Sequence, residues 1–469
     1  MRVYFDKQIY SNLFKLNQEK YITLSKKIEQ RNFIICYSHA LLLDLKNDKT
    51  DYKYKELDYI ESLVDDNYIS YHALNKVTSA YLAKPREAFE DVENEPTEID
   101  FEEIFNFDID GLSNDEKQLI KSAREMIFNT DFDLNFIDKN SFPEEHKELF
   151  SKLFPEVKSS LNLKDAITYF MDFIDTLNED KSIYKQLRNL SSGYLNNKKF
   201  EINYNEIDFN DELKNSALKK TFLEHIEQTI NPNGKKDVSK YDYFTNSYLN
   251  LDILGISKEP AKNLKFRNLM NDAFHSYYGA YCDCVVSEDI GFIKKTRVLY
   301  NLFNISTKVL HIDEFIEFYA ILFPNLPNNA VEFFKKIEEN IEHWELTEHY
   351  SIINLKRTIS RYKTNYNILS YFNRAEYLLE NNKKYIYLFR ERNNYSSFDM
   401  YREYEFIVNN AHKIFGTDIN SKTEYSFKEE NNLIKKDKWK GRFWDFGAYT
   451  VFIEHSKEIN SFGVLIQLK

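Results

Sequence analysis

The chain has few of the residues that turn or cross-link a fold. Among its 469 residues are ten glycines, eight prolines and three cysteines. So few glycines and prolines imply few tight turns, which favours a helix-rich protein. Three cysteines are too few, and odd in number, for a disulfide framework. We therefore expect Cys36, Cys282 and Cys284 to be buried, reduced thiols.

Long hydrophobic runs are also absent. No apolar stretch approaches the roughly 18 residues that a membrane-spanning helix needs. Met1 leads directly into a predicted strand, so we expect no signal peptide. These absences predict a cytoplasmic protein with no membrane partner.

Basic charge is in deficit, since the formal net charge is −12. Non-specific affinity for nucleic acids comes largely from basic surface, so this balance argues against an indiscriminate nucleic-acid binder. An enzyme with a local basic groove is still compatible with it. The hydrophobic share of 42% and the aromatic share of 16% are typical of a globular protein, and the length suffices for two or three domains.

Several catalytic signatures are missing as well. The sequence contains no Gly-rich phosphate loop, no nucleophile elbow and no Cys/His zinc spacing. The candidates that the chain does offer are acids that follow or accompany short apolar runs.

Two such acids occur near the start of the chain. Arg2–Phe5 is a short apolar strand that ends at Asp6. Residues 33–37 predict a second strand, which ends at Ser38, a good N-cap for a helix reaching residue 47. In that helix Asp44 interrupts a run of leucines, where a carboxylate is costly to leave ionised unless a positive group pairs with it.

A later stretch repeats the arrangement. Asp272 and His275 are spaced i, i+3, which places them on one face of a predicted helix. The β-branched run at residues 284–286 predicts a buried strand, and Ser287 and Asp289 follow it. Ligands bind at the carboxyl ends of strands in open parallel sheets, so Asp289 is predicted to lie where chemistry usually takes place.

In this order, the motifs resemble the PIN-like nuclease family. The shared features are a strand ending in Asp, a strand–Ser–helix segment with a second acid, an ND-x-x-H helix and a strand followed by S-x-D. They cover residues 1–48 and about 255–320, less than half of the chain. The resemblance implies an α/β/α core with a parallel sheet. Carried over residue by residue, it implies four metal-binding catalytic acids: Asp6, Asp44, Asp272 and Asp289.

The resemblance also implies a chemistry. The family's acids hold a divalent metal for cutting RNA, and hard cations such as Mg²⁺ or Mn²⁺ prefer oxygen ligands. Phosphodiester hydrolysis needs a nucleophilic water and a stabilised leaving oxygen, both of which such an ion assists. We expect Asp6 and Asp289 to hold the ion directly, with Asp44 and Asp272 completing the cluster or positioning the water. Toxins and anti-phage defence nucleases belong to this family, so the resemblance implies that context too.

Further candidates lie beside the acids. His275, one turn after Asp272, can contact phosphate or carry a proton, although a hydrogen-bonded structural histidine is the alternative. Ser287 can donate a hydrogen bond to the acids or to phosphate. Lys294 and Lys295 can bind phosphate near Asp289 or can be solvated side chains.

Each acid also has a structural alternative. Asp6 and Asp289 can cap the helices that follow them. Asp44 can lie at a surface edge, and Asp272 can pair with Arg267 or Lys265. The second acid of the family pattern can also be one of three residues downstream: Asp48, Glu56 or Glu61.

The predicted domain organisation follows from these positions. The nuclease core comprises residues 1–48 and 255–322, and residues 49–254 form a helical insertion between the second and third acids. A C-terminal domain of mixed α+β structure covers residues 323–469; we expect it to be helical over residues 330–380 and to end in strands at 442–454 and 462–468. The acidic stretch 87–110 is interpreted as a solvated loop or helix face.

Basic residues alternate with aromatics in the C-terminal region. Bases stack on aromatic rings and phosphates pair with Lys and Arg, so this mixture is suited to single-stranded nucleic acid. The alternative is surface charge balanced by nearby acids. The basic residues concerned are Lys356, Arg357, Arg361 and Lys363 on one predicted helix, and those within residues 383–392 and 435–444.

The sequence thus predicts an α/β protein that is a metal-dependent endonuclease, with Mg²⁺ or Mn²⁺ as cofactor and RNA as substrate. A regulatory protein partner or a homo-oligomer is a further expectation. The alternatives are a DNA-cleaving nuclease and a non-catalytic helical scaffold built on a nuclease-like core.

Overall fold

The computed structural model describes residues 1–16, 18–94, 131–133, 160–162, 176–177, 181–194, 209–216, 218–231, 234, 237–254, 266–352, 356–381, 383–456 and 461–469. The chain divides into two compact units. Unit 1 comprises Met1–Phe89 together with His275–Lys469, and unit 2 comprises Glu90–Phe274.

The N-terminal segment alternates strands and helices and then forms a β-hairpin. Its elements are β1 (Arg2–Phe5), α1 (Lys7–Lys15), α2 (Glu19–Glu29), β2 (Ile34–Ser38), α3 (His39–Asn47), α4 (Tyr52–Val64), β3 (Asn67–His72), β4 (Val77–Leu82) and α5 (Pro85–Asn94).

The described part of unit 2 is mostly helical. Its elements are β5 (Asp131–Asp133), β6 (Ser160–Asn162), α6 (Lys181–Tyr194), α7 (Phe209–Glu212), a 3₁₀ turn (Leu213–Asn215), α8 (Phe222–Ile230) and α9 (Lys240–Ile253). Helix α8 begins with a capping box, in which Thr221 and Glu224 each bond the other's backbone N–H.

The chain then passes through α10 (Phe266–Gly279), which crosses the boundary between the units, and returns to unit 1. The remaining elements are β7 (Cys284–Ser287), α11 (Ile290–Leu302), β8 (Lys308–His311), α12 (Ile312–Leu322), α13 (Ala330–Asn340), β9 (Glu345–Ile352), β10 (Arg357–Ile368), β11 (Phe372–Glu380), β12 (Lys383–Phe389), α14 (Tyr401–Phe415), α15 (Phe427–Lys435), β13 (Arg442–Asp445), β14 (Tyr449–Ser456) and β15 (Ser461–Leu468).

A mostly parallel six-stranded sheet organises the first half of unit 1. Its strand order is β4-β3-β2-β1-β7-β8, and the single antiparallel pair is β3 with β4. Every residue of β1, β2 and β7 is buried, as expected for parallel strands covered on both faces. The α/β class predicted from the sequence is therefore confirmed at this level.

The centre of this sheet is a topological switch point. Strand β1 lies between β2 on one side and β7 on the other, so the chain leaves β1 in one direction and returns on its opposite flank. Ligands of open α/β sheets bind beyond the carboxyl ends of the strands at such a point. Those ends carry Asp6 after β1, Ser38 in β2 and Ser287 in β7.

Helix α10 approaches the sheet closely because it ends in glycine. A Cβ atom at Gly279 would collide with Cγ2 of Val285 and would lie 3.2 Å from the Tyr300 hydroxyl oxygen. Only a residue without a side chain fits there. The glycine therefore lets α10 pack directly on β7.

A second, antiparallel sheet forms the C-terminal part of unit 1. Its seven strands have the order β13-β14-β15-β12-β11-β10-β9, and helices α13 and α14 contribute to one shared hydrophobic core with it. The C-terminal part contains both helices and strands, as predicted, but the secondary structure predicted for residues 330–380 is wrong. The expected helix over residues 330–380 stops at Asn340, and three strands occupy residues 345–380.

The hairpin β3–β4 is the other departure from the predicted elements. Residues 49–89 were assigned to a helical insertion, yet Tyr37 and Ser38 of β2 pair in parallel with Tyr68 and Ile69 of β3. Unit 1 consequently extends to Phe89. The hairpin itself is a local pairing of β3 with β4, and the other edge of β3 pairs with β2, a strand some thirty residues earlier.

The two sheets of unit 1 are joined by buried polar contacts. The guanidinium of Arg2 on β1 donates two hydrogen bonds to the Glu403 carboxylate, at 2.9 and 2.8 Å. Arg390 pairs with Asp283, and the side-chain amide of Asn393 donates to the backbone oxygens of residues 280 and 282, at 2.9 and 2.7 Å. Through Arg2, these contacts connect the C-terminal part of unit 1 to β1, the strand that precedes Asp6.

Some smaller predictions can also be compared with the structure. The three cysteines are free and buried, as expected. Residues 95–110 of the acidic stretch lie outside the described residues, whereas its first part belongs to α5. Within the ranges that the structure describes, no helix is both long and apolar enough to cross a membrane.

Candidate metal centre

Asp6 follows β1 and occupies the N-cap position of α1, but its side chain does not cap that helix. The Asp6 carboxylate instead accepts a hydrogen bond of 2.7 Å from the Ser287 hydroxyl, and its backbone N–H donates to the Val286 oxygen at 3.0 Å. The capping alternative therefore does not explain this carboxylate. Its position is set by β7, the strand next to its own.

Asp44 and His275 meet on the other side of Asp6. The imidazole Nε2 of His275 lies 3.0 Å from Oδ2 of Asp44. The histidine is 1% exposed, whereas the Asp44 side chain is 30% exposed. Asp44 is thus half-buried in α3 and paired with an imidazole from α10. The sequence predicts a positive partner for this carboxylate, and the imidazole is positive only when it is protonated.

The second nitrogen of His275 is held by hydroxyl groups. Its Nδ1 lies 2.6 Å from the Tyr4 hydroxyl, which in turn lies 2.6 Å from the Ser38 hydroxyl. Tyr4 and Ser38 are fully buried. A continuous chain of hydrogen bonds therefore runs from Ser38 through Tyr4 and His275 to Asp44.

Asp6, Asp44 and His275 converge. One carboxylate oxygen from each acid and one ring nitrogen of the histidine lie within 4.8 Å of one another. No other set of three His, Cys, Asp or Glu side chains is this close in the part of the chain that the structure describes. We call these three residues the metal cluster.

The electrostatics of the metal cluster disfavour an extra negative charge. Burial raises the pKa of Asp6; the nearby charge of His275 and the hydrogen bond from Ser287 lower it, and the charges of Asp44 and Asp289 raise it further. The net direction is upward, so an ionised Asp6 is poorly stabilised by the protein alone. A cation beside it would remove that penalty.

The donor set fits a divalent ion. Two carboxylates and an imidazole are all metal ligands, and their atoms already converge. The separation of 3.0 Å between Nε2 of His275 and Oδ2 of Asp44 also fits, because two ligands at right angles, each about 2.1 Å from one ion, lie about 3 Å apart.

The other two predicted acids occupy different positions. Asp289 is exposed and caps α11, accepting the N–H of Phe292 at 2.9 Å, which is the structural alternative considered above. Asp272 is half-buried on α10, three residues before His275. Neither belongs to the metal cluster, so direct ligation by Asp289 and the supporting role of Asp272 stay predictions.

The remaining alternatives for the second acid all have other partners. The Asp48 carboxylate accepts the backbone N–H and the hydroxyl of Thr50, at 2.9 and 2.8 Å. Glu56 is buried and lies 3.6 Å from Lys7, and Glu61 lies 3.7 Å from Lys84. Of the four candidates, Asp44 is the one in the metal cluster.

The secondary candidates divide into residues at the centre and residues away from it. Ser287 is central, because its hydroxyl donates to Asp6 and also accepts the backbone N–H of Asp289 at 3.0 Å. Lys294 is exposed on α11, whereas its neighbour Lys295 is 1% exposed. Only Lys294 of this pair is accessible to a substrate.

Tyr4 is the neighbour of the metal cluster that sequence reasoning missed. In the sequence it is one of four residues of an apolar strand, and nothing marks its hydroxyl as a partner of His275. The available signal was its spacing: residues two apart on a strand share a face, so Tyr4 had to lie on the same side as Asp6.

Several basic residues of the C-terminal region are matched by acids. Arg357, Arg361 and Lys363 lie on β10, a strand rather than the expected helix. Acids of neighbouring strands pair with them: Glu380 with Arg357 (2.7 Å), Glu348 and Glu376 with Arg361 (2.8 and 2.9 Å), and Glu345 with Lys363 (3.9 Å). The same holds for Arg392 with Asp399 and for Arg442 with Glu430. This pattern is the balanced surface and interior charge that was the alternative to RNA contact.

Comparison with known proteins adds no assignment, because no family model, no curated protein and no solved structure matches this chain.

Proposed function

We propose that the protein is a metal-dependent endonuclease with a PIN-like core, and that its substrate is RNA. The observation that carries the proposal is the metal cluster itself: Asp6, Asp44 and His275 converge at the carboxyl edge of a parallel sheet, beside its switch point. That is where open α/β sheets bind ligands. The order of the acids along the chain, which resembles the PIN-like family, supports the choice of reaction.

In this proposal Asp6 and Asp44 hold a divalent ion, which would polarise a phosphodiester and its attacking water when bound. Ser287 orients the Asp6 carboxylate by donating to one of its oxygens. Nε2 of His275 lies 3.0 Å from Oδ2 of Asp44, which places the imidazole as a neighbouring donor for that ion. The burial of β1 and β7 keeps Asp6 and Ser287 at the ends of rigid strands, so these two groups need little reorganisation when substrate binds.

RNA is favoured over DNA by the family resemblance. The net charge of −12 and the ion-paired C-terminal sheet restrict phosphate contacts to a local surface. Lys294, exposed on the helix that Asp289 caps, supports such a contact. We place the reaction in the cytoplasm on the composition of the chain.

One observation favours the non-catalytic alternative. The side chains of the metal cluster also have partners within the protein, since the Ser287 hydroxyl donates to Asp6 and Nε2 of His275 lies 3.0 Å from Asp44. A polar network of this kind can simply specify how α3, α10 and the sheet pack. The scaffold reading therefore predicts a stable fold with no metal-dependent activity.

A cleavage assay distinguishes the nuclease from the non-catalytic scaffold. Metal-stripped protein is incubated with a single-stranded RNA, with and without added Mn²⁺. The proposal predicts Mn²⁺-dependent cutting by the wild type and its loss in Asp6→Asn and Asp44→Asn. Asp48→Asn, on the same helix end as Asp44 but bound to Thr50, serves as the matched comparison and should cut normally. Cutting by both Asp6→Asn and Asp44→Asn at the wild-type rate would refute the proposal.

A further inference from the structure

The imidazole of His275 adds a nitrogen donor to the metal cluster, and this donor influences which metal ion binds there. We infer that the metal cluster selects a first-row transition-metal ion of the Co²⁺ or Zn²⁺ type over Mg²⁺, and that Tyr4 and Ser38 are positioning residues that fix the metal-binding tautomer of His275. The inference rests on the proposed function only in requiring that Asp6 and Asp44 hold a metal.

Both nitrogens of His275 are engaged, which restricts its protonation. A neutral imidazole has one N–H and one lone pair, so one nitrogen donates a hydrogen bond and the other accepts. Nε2 faces Asp44 and Nδ1 faces the Tyr4 hydroxyl. In the neutral imidazole, Nε2 carries the proton because it faces a carboxylate, which only accepts, and Tyr4 then donates to Nδ1.

The hydroxyl chain allows the opposite tautomer at little cost. With the proton on Nδ1, the imidazole donates to the Tyr4 oxygen, and Tyr4 donates to the Ser38 oxygen. Both steps use existing contacts of 2.6 Å and require only rotation of hydroxyl protons. The buried ring therefore keeps a partner for Nδ1 in either state.

In that second tautomer the Nε2 lone pair is directed toward the Asp44 carboxylate. Two acceptors 3.0 Å apart repel each other unless a cation lies between them. With a cation they become neighbouring ligands at a suitable separation, and Asp6 supplies a third. Metal binding and the tautomer switch are thus coupled by the same pair of atoms.

Ligand chemistry then sets the preference among ions. Imidazole nitrogen suits Zn²⁺ and similar transition-metal ions, whereas Mg²⁺ prefers oxygen ligands and keeps several waters. Among divalent first-row ions, affinity for a given site rises from Mn²⁺ through Co²⁺ toward Zn²⁺ on the usual order. A cluster of carboxylates alone would show no comparable preference for nitrogen-binding ions.

The surroundings of His275 hold its ring in one orientation, as expected for a metal-binding histidine. The ring is 1% exposed, and Tyr4 and Ser38 are completely buried on adjacent strands of the sheet. Metal-binding histidines almost always donate their other N–H to a fixed acceptor, and removing that acceptor typically costs 10- to 100-fold in metal affinity. The Tyr4 hydroxyl is such an acceptor.

Calorimetric titration of the metal-stripped full chain with Co²⁺, Zn²⁺ and Mg²⁺ tests the inference without any assay of activity. We expect one site at which Co²⁺ and Zn²⁺ bind at least tenfold more tightly than Mg²⁺. His275→Asp, which makes the donor set all oxygen, should lose that preference. Comparable affinity of the wild type for Co²⁺ and Mg²⁺, or no saturable binding of either, would overturn the inference.

Tyr4→Phe keeps the ring and removes only the hydroxyl, so it tests the tautomer step even if His275→Asp fails to fold. We expect Co²⁺ affinity to fall by about 10- to 100-fold. Tyr10→Phe is the matched control, because the Tyr10 hydroxyl is also buried and has no hydrogen-bond partner among the described residues. Equal Co²⁺ affinity in Tyr4→Phe and Tyr10→Phe would contradict the role of Tyr4.

The visible absorption bands of bound Co²⁺ provide a second test of ligation by His275, because these bands change when a nitrogen ligand is replaced by oxygen. His275-dependent Co²⁺ binding by a protein that never cuts RNA would support this inference and remove the proposed function. RNA cleavage by a protein whose ion preference does not depend on His275 would support the proposed function and contradict this inference.

Discussion

Asp6 carries an unfavourable charge in the metal cluster. Burial raises its pKa, and the charges of Asp44 and Asp289 act in the same direction. Between the ordinary pKa of 3.8 and the higher folded value, the folded protein binds more protons than the unfolded chain. Stability therefore falls as the pH rises through that window, and the loss persists at neutral pH.

Asp6→Asn removes this unfavourable charge while keeping an oxygen that can accept from Ser287. We predict that metal-free Asp6→Asn melts at a higher temperature than the wild type at pH 7, and that the difference vanishes below the ordinary pKa of 3.8. Calorimetric melting of both proteins across that range is the measurement. A lower midpoint for Asp6→Asn at pH 7 would show that the carboxylate is stabilising without metal.

Part of the metal cluster could be predicted from single residues. Asp6 and Asp44 were identified because an acid at the end of a buried strand, or among leucines, needs a compensating partner. The distinction between them and Asp289 could not be made, since a metal ligand and an N-cap look alike in sequence; Asp289 proves to cap α11. The contact of His275 with Tyr4 joins residues 271 positions apart, which no local pattern reveals.

At the scale of elements, the strands β1, β2 and β7 were predictable because each is a short apolar run bounded by polar residues. Strand β10 was not. Its Arg357 and Arg361 have i, i+4 spacing, which is typical of a charged helix face. Their partners Glu380, Glu376 and Glu348 come from the flanking strands, and this cross-strand pairing decides the structure.

Strand β1 is also held by an element from the far end of the chain. Arg2 donates to Glu403 on α14, and both side chains are at most 5% exposed. Burial alone would raise the pKa of Glu403, but the charge and hydrogen bonds of Arg2 hold that pKa below its usual value. The pair is therefore mutually dependent, and loss of one partner leaves a buried charge.

Arg2→Met tests this dependence. We predict a loss of about 3–5 kcal/mol in the free energy of unfolding, the usual cost of leaving one buried charge without its partner. Arg361→Met is the matched control, because that arginine pairs with Glu348 and Glu376 but is 40% exposed. Its loss should cost at most about 1 kcal/mol. Equal costs in urea denaturation of the two variants would contradict the account of β1.

At the scale of the whole molecule, unit 1 contains two sheets that share buried polar contacts. Arg2 with Glu403 and Arg390 with Asp283 cross from the parallel sheet to the C-terminal part. The sequence suggested a separate C-terminal domain because the proline- and asparagine-rich stretch after residue 322 is typical of a boundary. The contacts across it are non-local and could not be foreseen.

These contacts predict that the two sheets unfold together. All three tryptophans, Trp344, Trp439 and Trp444, lie in or against the C-terminal hydrophobic core, so fluorescence follows that part alone. A metal at Asp6 and Asp44, present at 100 times its dissociation constant, should stabilise the protein by about 2.7 kcal/mol. We expect Mn²⁺ to raise the fluorescence-detected melting temperature of the wild type and not that of Asp44→Asn.

An unchanged fluorescence midpoint, together with a separate transition in circular dichroism that does move with Mn²⁺, would show that the two sheets unfold independently.

The Mn²⁺ dependence of the cleavage rate is the most direct test that the metal cluster hydrolyses RNA. We expect the rate of the wild type to saturate with Mn²⁺. Asp44→Asn should either need at least tenfold more Mn²⁺ for its half-maximal rate or show no measurable rate. Cleavage by Asp44→Asn with the same Mn²⁺ midpoint as the wild type would place the reaction elsewhere in the chain and contradict the account.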